Sequence, residues 1–246
     1  MPPRLLPGVR HAIYKVRERL GLVRQPCYHT MAYSQEGEDL ILQRTFGSQA
    51  SGFYVDIGAH HPQRFSNTYL LYKSGWRGIN VDAAPGSMNI FRKERPRDIN
   101  LELAIGEGEC SSRTFYIFNE PALNTFDAEL AQSRTGNEFK GTILSKQGVA
   151  IRSLEAVLRE YLPPGTTIDF LTVDVEGLDL EVLRSNNWKQ YRPRYVLAEC
   201  YGIPMSALPE DGIYQYMLSQ GYELAAKTVN TLIFKDAGRV PSQHHL

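Results

Sequence analysis

FYVDIGAHHP (53–62) decides how this chain folds. Aromatic and β-branched residues crowd Phe53 to Ile57, the composition of a strand buried on both faces. Asp56 and Gly58 then close the run, and Gly58 allows a tight turn and close approach of a ligand to the backbone. Working outward, a helical stretch at 66–73 stops at Gly75, and GINVDA (78–83) is a second strand. A helix near 88–93 leads to the strand INLELAIG (99–106), and RTFYIF (113–118) reads as a further strand paired with its neighbour. Further on, Ser153 can cap a helix that Pro163 and Pro164 stop. IDFLTVDVEG (168–177) is the clearest buried strand, followed by a helix at 178–184 and the strand RYVLAEC (194–200). A helix near 213–219 precedes YELAAK (222–227) and TLIFK (231–235), whose short connection predicts antiparallel pairing. Upstream, Ser34 can cap a helix running to Phe46.

Strands alternating with helices predict an α/β fold, a mainly parallel sheet with helices on both faces. Ligands of such sheets gather at the carboxyl ends of the strands, near the switch in strand order. Acids stand at or near four strand ends: Asp56, Asp82, Asp174 and Glu199. Residues 119–147 carry apolar positions without a period and read as an insertion covering that edge, a lid or acceptor-binding segment.

The 246 residues carry 27 basic and 27 acidic side chains, a balance that argues against a nucleic-acid partner. Cys27, Cys110 and Cys200 lie far apart and show no metal-ligand spacing, which favours a reducing cytoplasm. No apolar run reaches membrane-spanning length, and the N-terminus lacks the apolar core of a secretory signal. Val9, Ala12, Ile13, Val16 and Leu20 recur at helical spacing beside Arg10, Lys15, Arg17 and Arg19. This divides the chain into an N-terminal helical extension (1–30) and one domain (31–246). Docking of the helix on its own domain or on a partner subunit is favoured over contact with a membrane surface, because the basic face is short. A homo-oligomer is compatible with the sequence.

The glycines do not match the dinucleotide fingerprint, and His60, His61 and Pro62 would crowd a pyrophosphate. A cofactor without phosphates fits better. S-adenosylmethionine is one: its ribose hydroxyls suit the carboxylate of Asp82. YSQEGEDL (33–40), FYVDIGAHHP (53–62), SNTYLLYKSGWRGINVDA (66–83), LAIG (103–106) and IDFLTVDVEGLDLEVL (168–183) together resemble the FkbM family of methyltransferases, with the segments in family order.

That resemblance implies the class I methyltransferase fold: Rossmann-like, with seven strands, mainly parallel, and an antiparallel last strand. It implies transfer of a methyl group from S-adenosylmethionine to a hydroxyl, leaving S-adenosylhomocysteine, with a sugar or natural-product acceptor. Asp56, Gly58, Ala59 and His60 would form the first cofactor loop, Asp82 would hold the ribose, and Ala104 and Ile105 would flank the adenine. Ser34, Gln35 and Glu38 would reach the cofactor from the preceding helix, and Ser66 and Asn67 its methionine end. Asp174 or His61 would act as general base, with Glu176 orienting the acceptor.

Plainer roles compete. Ser34, Asn67 and Glu176 could cap helices, His60 or His61 could bridge backbone groups, and Trp76 and Trp188 read as packing. Phe126, Phe139 and Tyr201 could stack on a sugar, or the first two could form the insertion's own core. A divalent metal bound by Asp174 and a neighbouring acid is the less favoured route, since no tight acidic cluster is evident. A dehydrogenase or a non-catalytic cofactor-binding module remain the alternatives.

Overall fold

The computed structural model describes residues 15–17, 19–20, 30–47, 49–108, 112–135 and 141–238. The chain divides into two units, Met1–Met31 and Ala32–Leu246. In the first, residues 15–17 and 19 are helical, Leu20 is an exposed turn residue, and the rest of the amphipathic stretch lies outside the described residues, as do Cys27, Cys110 and Phe139. Among the described residues no helix is long and apolar enough to cross a membrane.

The second unit contains β1 (Phe53–Ile57), β2 (Arg77–Asp82), β3 (Ile99–Glu102), β4 (Ala104–Ile105), β5 (Ser112–Phe118), β6 (Ile143–Arg152), β7 (Phe170–Val173), β8 (Tyr195–Glu199), β9 (Tyr222–Lys227) and β10 (Thr231–Asp236). Seven of them form one sheet in the order β3-β2-β1-β7-β8-β10-β9. Pairing is parallel from β3 to β8, and β10 runs antiparallel to both β8 and β9. This is the α/β sheet with an antiparallel last strand that the sequence led us to expect.

Alternation along β1 sorts the core into two layers. Phe53, Val55 and Ile57 face Leu154, Val157 and Leu158 of the helix Leu154–Tyr161 and Val182 and Leu183 of Asp179–Arg184. Tyr54 faces the opposite layer, with Leu42 and Phe46 of the helix Glu38–Phe46, Leu71 and Tyr72 of Tyr69–Lys73, and Trp76. Covering both faces leaves every residue of β1 buried. Ser153 caps its helix as expected, accepting from the Ala156 N–H at 3.2 Å. Trp76 and Trp188 are buried packing residues.

Three readings need correction. The run at 99–106 is two strands: β3 ends at Glu102, Leu103 donates its N–H to the Asp82 carbonyl, and β4 leaves to pair with β6. Nothing in a continuous apolar run says which sheet each residue joins. The segment 119–147 is largely ordered into elements: a 3-10 turn at Pro121–Leu123, a helix at Ala128–Arg134 capped by Asp127, and the first half of β6. β6 pairs antiparallel with β5, so the expected fourth strand lies in a small separate sheet of order β4-β6-β5. Finally, the strand read over 168–177 stops at Val173, because Glu176 and Gly177 take left-handed φ of 56° and 103°.

Beneath the end of β1 lies a fully buried polar network. Arg95 and Asp98 form an ion pair at 2.9 Å, both side chains without solvent exposure. Arg95 also donates to the Tyr54 hydroxyl (2.6 Å) and Thr68 Oγ1 (2.9 Å), while Asp98 accepts from the Tyr54 hydroxyl, the Gly78 N–H and Asn80 Nδ2. The Thr68 hydroxyl in turn donates to Asp56 at 2.8 Å. The network stitches β1, β2 and the loop after β1 to the end of the helix Ser87–Glu94. Removing one partner strands a buried charge, so Arg95→Met should lower unfolding free energy by about 3–5 kcal/mol in a urea titration. A loss within experimental error would deny the network its structural role.

Candidate active site

A cleft of about 600 Å³ opens over the carboxyl ends of β2, β1, β7 and β8. Gly58 sets its floor. With φ 84°, a Cβ there would stand 1.7 Å from the Asp174 carbonyl oxygen, so only glycine lets the ends of β1 and β7 meet. The helix expected at 66–73 is present but shorter, beginning at Tyr69, and a loop separates it from this turn. The turn's N–H groups are also spent internally. Gly58 and Ala59 donate to the Val81 carbonyl at 2.9 and 3.0 Å, and His60 donates to Asp82 Oδ2 at 2.9 Å. At this turn neither a free N–H group nor a helix N-terminus is left for a pyrophosphate.

Asp82 accepts a second backbone bond, from Ala84 N–H at 2.8 Å on Oδ1. Burial raises its affinity for a proton, and the N–H donors from Ala84 and His60 oppose that. Each oxygen keeps a further lone pair for a ligand hydroxyl. Beside it Val81, Leu103, Ala104, Ile105 and Ile90 form an apolar slot, with Pro85 and Gly86 at its edge.

Toward the other end stand Asp174, Glu176 and Glu199, carboxylates whose oxygens lie within 4.8 Å of one another. The sequence reading saw no such cluster, because β8 becomes the neighbour of β7 only when the sheet assembles. These oxygens are of the type a hard divalent cation takes. Arg134, on the helix Ala128–Arg134, is the one arginine or lysine among the described cleft-lining residues, and it pairs with Glu176. Burial, then Glu199 and Glu176, raise Asp174 well above the usual carboxylate range. Burial and then Glu176 push Glu199 up to about 8, and burial raises Glu176 against the pull of Arg134. Like charges so close cannot all ionise cheaply, so each carboxylate strengthens its neighbours' hold on a proton and a cation beside them would relieve the crowding.

Gln35, Gly58, His60, Asp82, Ala104, Ile105, Asp174 and Glu176 line the cleft, as do the stacking candidates Phe126 and Tyr201, while the remaining cofactor and base candidates do not. Ser34 serves the helix start, accepting from the N–H groups of Gly37 and Asp39. Glu38 is buried and accepts from the hydroxyls of Thr228 and Thr231. Asp56 lies under the sheet against Thr68, its carboxyl raised to about 6 by burial against the pull of Arg95. Ala59 is buried, packed with Met88 and Phe91. Ser66 accepts from the N–H groups of Thr68 and Tyr69, and Asn67 donates to Thr172 rather than capping its helix. His61 does not line the cleft: its Nδ1 accepts from Gln63 and Arg64 N–H and bridges the turn. Glu176 caps no helix. Asp179 instead accepts from the N–H groups of Val175 and Gly177.

Arg134 and Phe65 are site residues that sequence reasoning does not reach, and Glu199 is one to which it assigns no chemical role. Glu199 was legible as a strand-end acid, but Arg134 sits in a segment without periodicity. His60, Phe65 and Glu176 are the described non-glycine residues with positive φ, and all three line the cleft. Such conformations cost about 1–3 kcal/mol each and concentrate where side chains must be aimed. His60 stacks on Phe65 with 6.1 Å between ring centroids, and its Nε2 is buried without a protein partner. Burial lowers its proton affinity, which favours the neutral imidazole. Phe126 packs on Phe115 at 4.5 Å, and both belong to the cleft wall.

A carboxyl that binds its proton more tightly folded than unfolded makes the fold lose stability as pH climbs from the ordinary 4.5 through about 8. Glu199→Gln should therefore be more stable than wild type at about pH 8.5, by on the order of 1–2 kcal/mol once solvent at the cleft is allowed for. The two should converge near the ordinary value of 4.5. Parallel thermal-melting curves across this range would contradict the charge crowding.

The family model described as "Methyltransferase FkbM domain" matches residues 56–224. A search of curated proteins returns no match. Among solved structures, the crystal structure of Methyltransferase FkbM from Methylobacillus flagellatus KT matches with a TM-score of 0.47 and 14% identity, over 82% of this chain. The matched region is 48% of that protein, so the chain spans about half its length. With the family domain covering more than two thirds of its residues, this chain belongs to the FkbM family of methyltransferases.

Proposed function

We propose that the chain transfers a methyl group from S-adenosylmethionine to a hydroxyl of a carbohydrate-containing or natural-product acceptor. One observation carries this reading. The described cleft lining has four carboxylates, Asp82, Asp174, Glu176 and Glu199, against the single guanidinium of Arg134. A site whose acids outnumber its one guanidinium, and whose first turn has no backbone donors to spare, suits a cationic sulfonium with an adenosine tail better than a dinucleotide, because the cation favours the ionised form of those acids. The donor supplies a methyl group made electrophilic by its positive sulfur.

The protein's residues divide the remaining work. Asp82 holds the ribose hydroxyls on its unused lone pairs, and Ala104 and Ile105 offer an apolar wall to the adenine. His60 presents its unpartnered Nε2 to the donor. Asp174, favoured in its ionised form by the positive sulfur beside it, takes the hydroxyl proton as the oxygen–carbon bond forms and the sulfur–carbon bond breaks, and Glu176, steadied by Arg134, orients the acceptor. Base assistance of this kind contributes about 10²–10⁴ in rate, and alignment of the reacting atoms contributes more. The reading invokes no metal, because the sulfonium itself supplies positive charge beside the cluster.

Calorimetry with S-adenosylhomocysteine tests the division of roles. Asp82→Ala should weaken binding by about 10–100-fold, the loss of one or two charge-assisted hydrogen bonds. Asp174→Asn should bind within a few-fold of wild type while turnover falls by about 10²–10⁴. Unchanged turnover would remove Asp174 from the chemistry. A non-catalytic module would bind the ligand and turn over no acceptor in either form. The charge argument has its own check. Raising pH ionises the cluster, so affinity for S-adenosylmethionine should climb relative to that for S-adenosylhomocysteine between about pH 6 and 9. A constant ratio would show that the carboxylates do not sense the sulfonium.

A further inference from the structure

We propose, resting on the reading above, that Gln35 and Tyr201 form an acceptor subsite that grips a pyranose-type ring. The Gln35 amide bonds ring hydroxyls and the Tyr201 ring covers the carbon–hydrogen face. This moves Gln35 from the cofactor role that the family resemblance implied to the opposite end of the cleft.

Position is the first ground. The turn carrying Gln35 is tied to the start of β10. Glu36 accepts from the Asn230 N–H and from Asn230 Nδ2, both at 2.8 Å, and Glu38 accepts from the Thr228 and Thr231 hydroxyls at 3.1 Å. In the sheet order, β10 stands four places from β2, which carries Asp82. Strands lie about 4.8 Å apart, so the tether is roughly 19 Å from the ribose position. A single methylene joins ribose to sulfonium, so the methyl is delivered near β1 and β7. The turn that carries Gln35 is therefore tied on the β8–β10 side of the cleft, away from the ribose position and next to the strand that ends in Glu199.

The second ground is that one residue clamps both proposed contacts. The Asn230 carbonyl accepts from Cys200 N–H at 2.6 Å, and its Oδ1 accepts from Gly202 N–H at 3.2 Å. Tyr201 lies between those two donors, and Gln35 precedes the glutamate that Asn230 holds on its other side. Gln35, Tyr201 and Asn230 all line the cleft. Ser34, Glu36 and Glu38 spend their side chains on protein partners, whereas Gln35 is exposed to the cleft.

Chemistry supplies the third. Tyr201 is 72% exposed, a large aromatic surface left in water at the mouth of a cleft. An amide offers donors and an acceptor together, which suits neighbouring hydroxyls that each donate and accept. Carboxyl groups at the adjoining strand tips add acceptors, and an anionic acceptor would add to charge crowding already present there. An aromatic platform beside planar polar groups matches a ring with an apolar face and a hydroxylated rim.

The experiment saturates the full chain with S-adenosylhomocysteine and titrates neutral methyl pyranosides, following ring-proton saturation transfer by NMR. Wild type should contact at least one pyranoside through its ring protons. Gln35→Ala and Tyr201→Ala should each weaken that contact about tenfold, the scale of one hydrogen bond or one aromatic face. Tyr201→Phe should retain it, and S-adenosylhomocysteine affinity should stay within about twofold in all three variants. Absence of any pyranoside contact in wild type that binds S-adenosylhomocysteine overturns the proposal. So does equal contact in the variants, or loss of S-adenosylhomocysteine affinity in Gln35→Ala, which would return Gln35 to the cofactor. A wild type that fails to bind S-adenosylhomocysteine at all overturns instead the functional reading beneath it, and this subsite with it.

Discussion

The site depends on one close approach, that of the Gly58 backbone to the Asp174 carbonyl. Asp174 returns its N–H to the Ile57 carbonyl at 2.9 Å, so the ends of β1 and β7 are locked together at the point where the strand order reverses. Any side chain at position 58 would push the two strand ends apart. Because they meet, Asp82 on one side and Asp174 and Glu199 on the other open onto a single cleft. The same turn directs its N–H groups inward, to Val81 and Asp82, and so selects against ligands that need backbone donors.

Two groups of buried charge lie close together and behave oppositely. Under the sheet, the Arg95 guanidinium satisfies Asp98 and Tyr54, and Thr68 passes part of that stabilisation to Asp56. That network is closed, and its work is to hold the strands in place. Above the sheet, Asp174, Glu176 and Glu199 share only Arg134, which arrives from the helix Ala128–Arg134. An uncompensated cluster at the strand tips costs the fold stability that a closed network would not. It leaves the cleft complementary to positive charge, a local conflict of the sort that functional sites retain.

The segment following β5 links these features to selectivity. Thr125 donates to the Glu176 carbonyl, Arg134 binds the Glu176 carboxylate, and Arg64 pairs with Glu120 from across the cleft. Phe115, Phe118 and Phe126 stand behind those contacts as an apolar wall. The small sheet that carries the wall is joined to the main domain through β4, whose Ala104 and Ile105 also line the cleft. Donor and acceptor walls are thus parts of one substructure.

Sequence alone determined the alternating strands and helices, the parallel sheet with its antiparallel close, and the acids at the strand ends. These follow from local periodicity and turn chemistry, which neighbouring residues along the chain suffice to express. It also singled out Asp82, Asp174 and Gly58, because a strand-terminal carboxylate or glycine carries its signal within a few residues. Tertiary structure alone decided that Glu199 joins Asp174 and Glu176, that Arg134 reaches them, and that Asp56, Glu38, Ser66 and His61 serve the framework. Those outcomes depend on which strands become neighbours and which face each side chain meets. Such pairings are set by contacts between residues distant along the chain, and no short stretch of sequence encodes them.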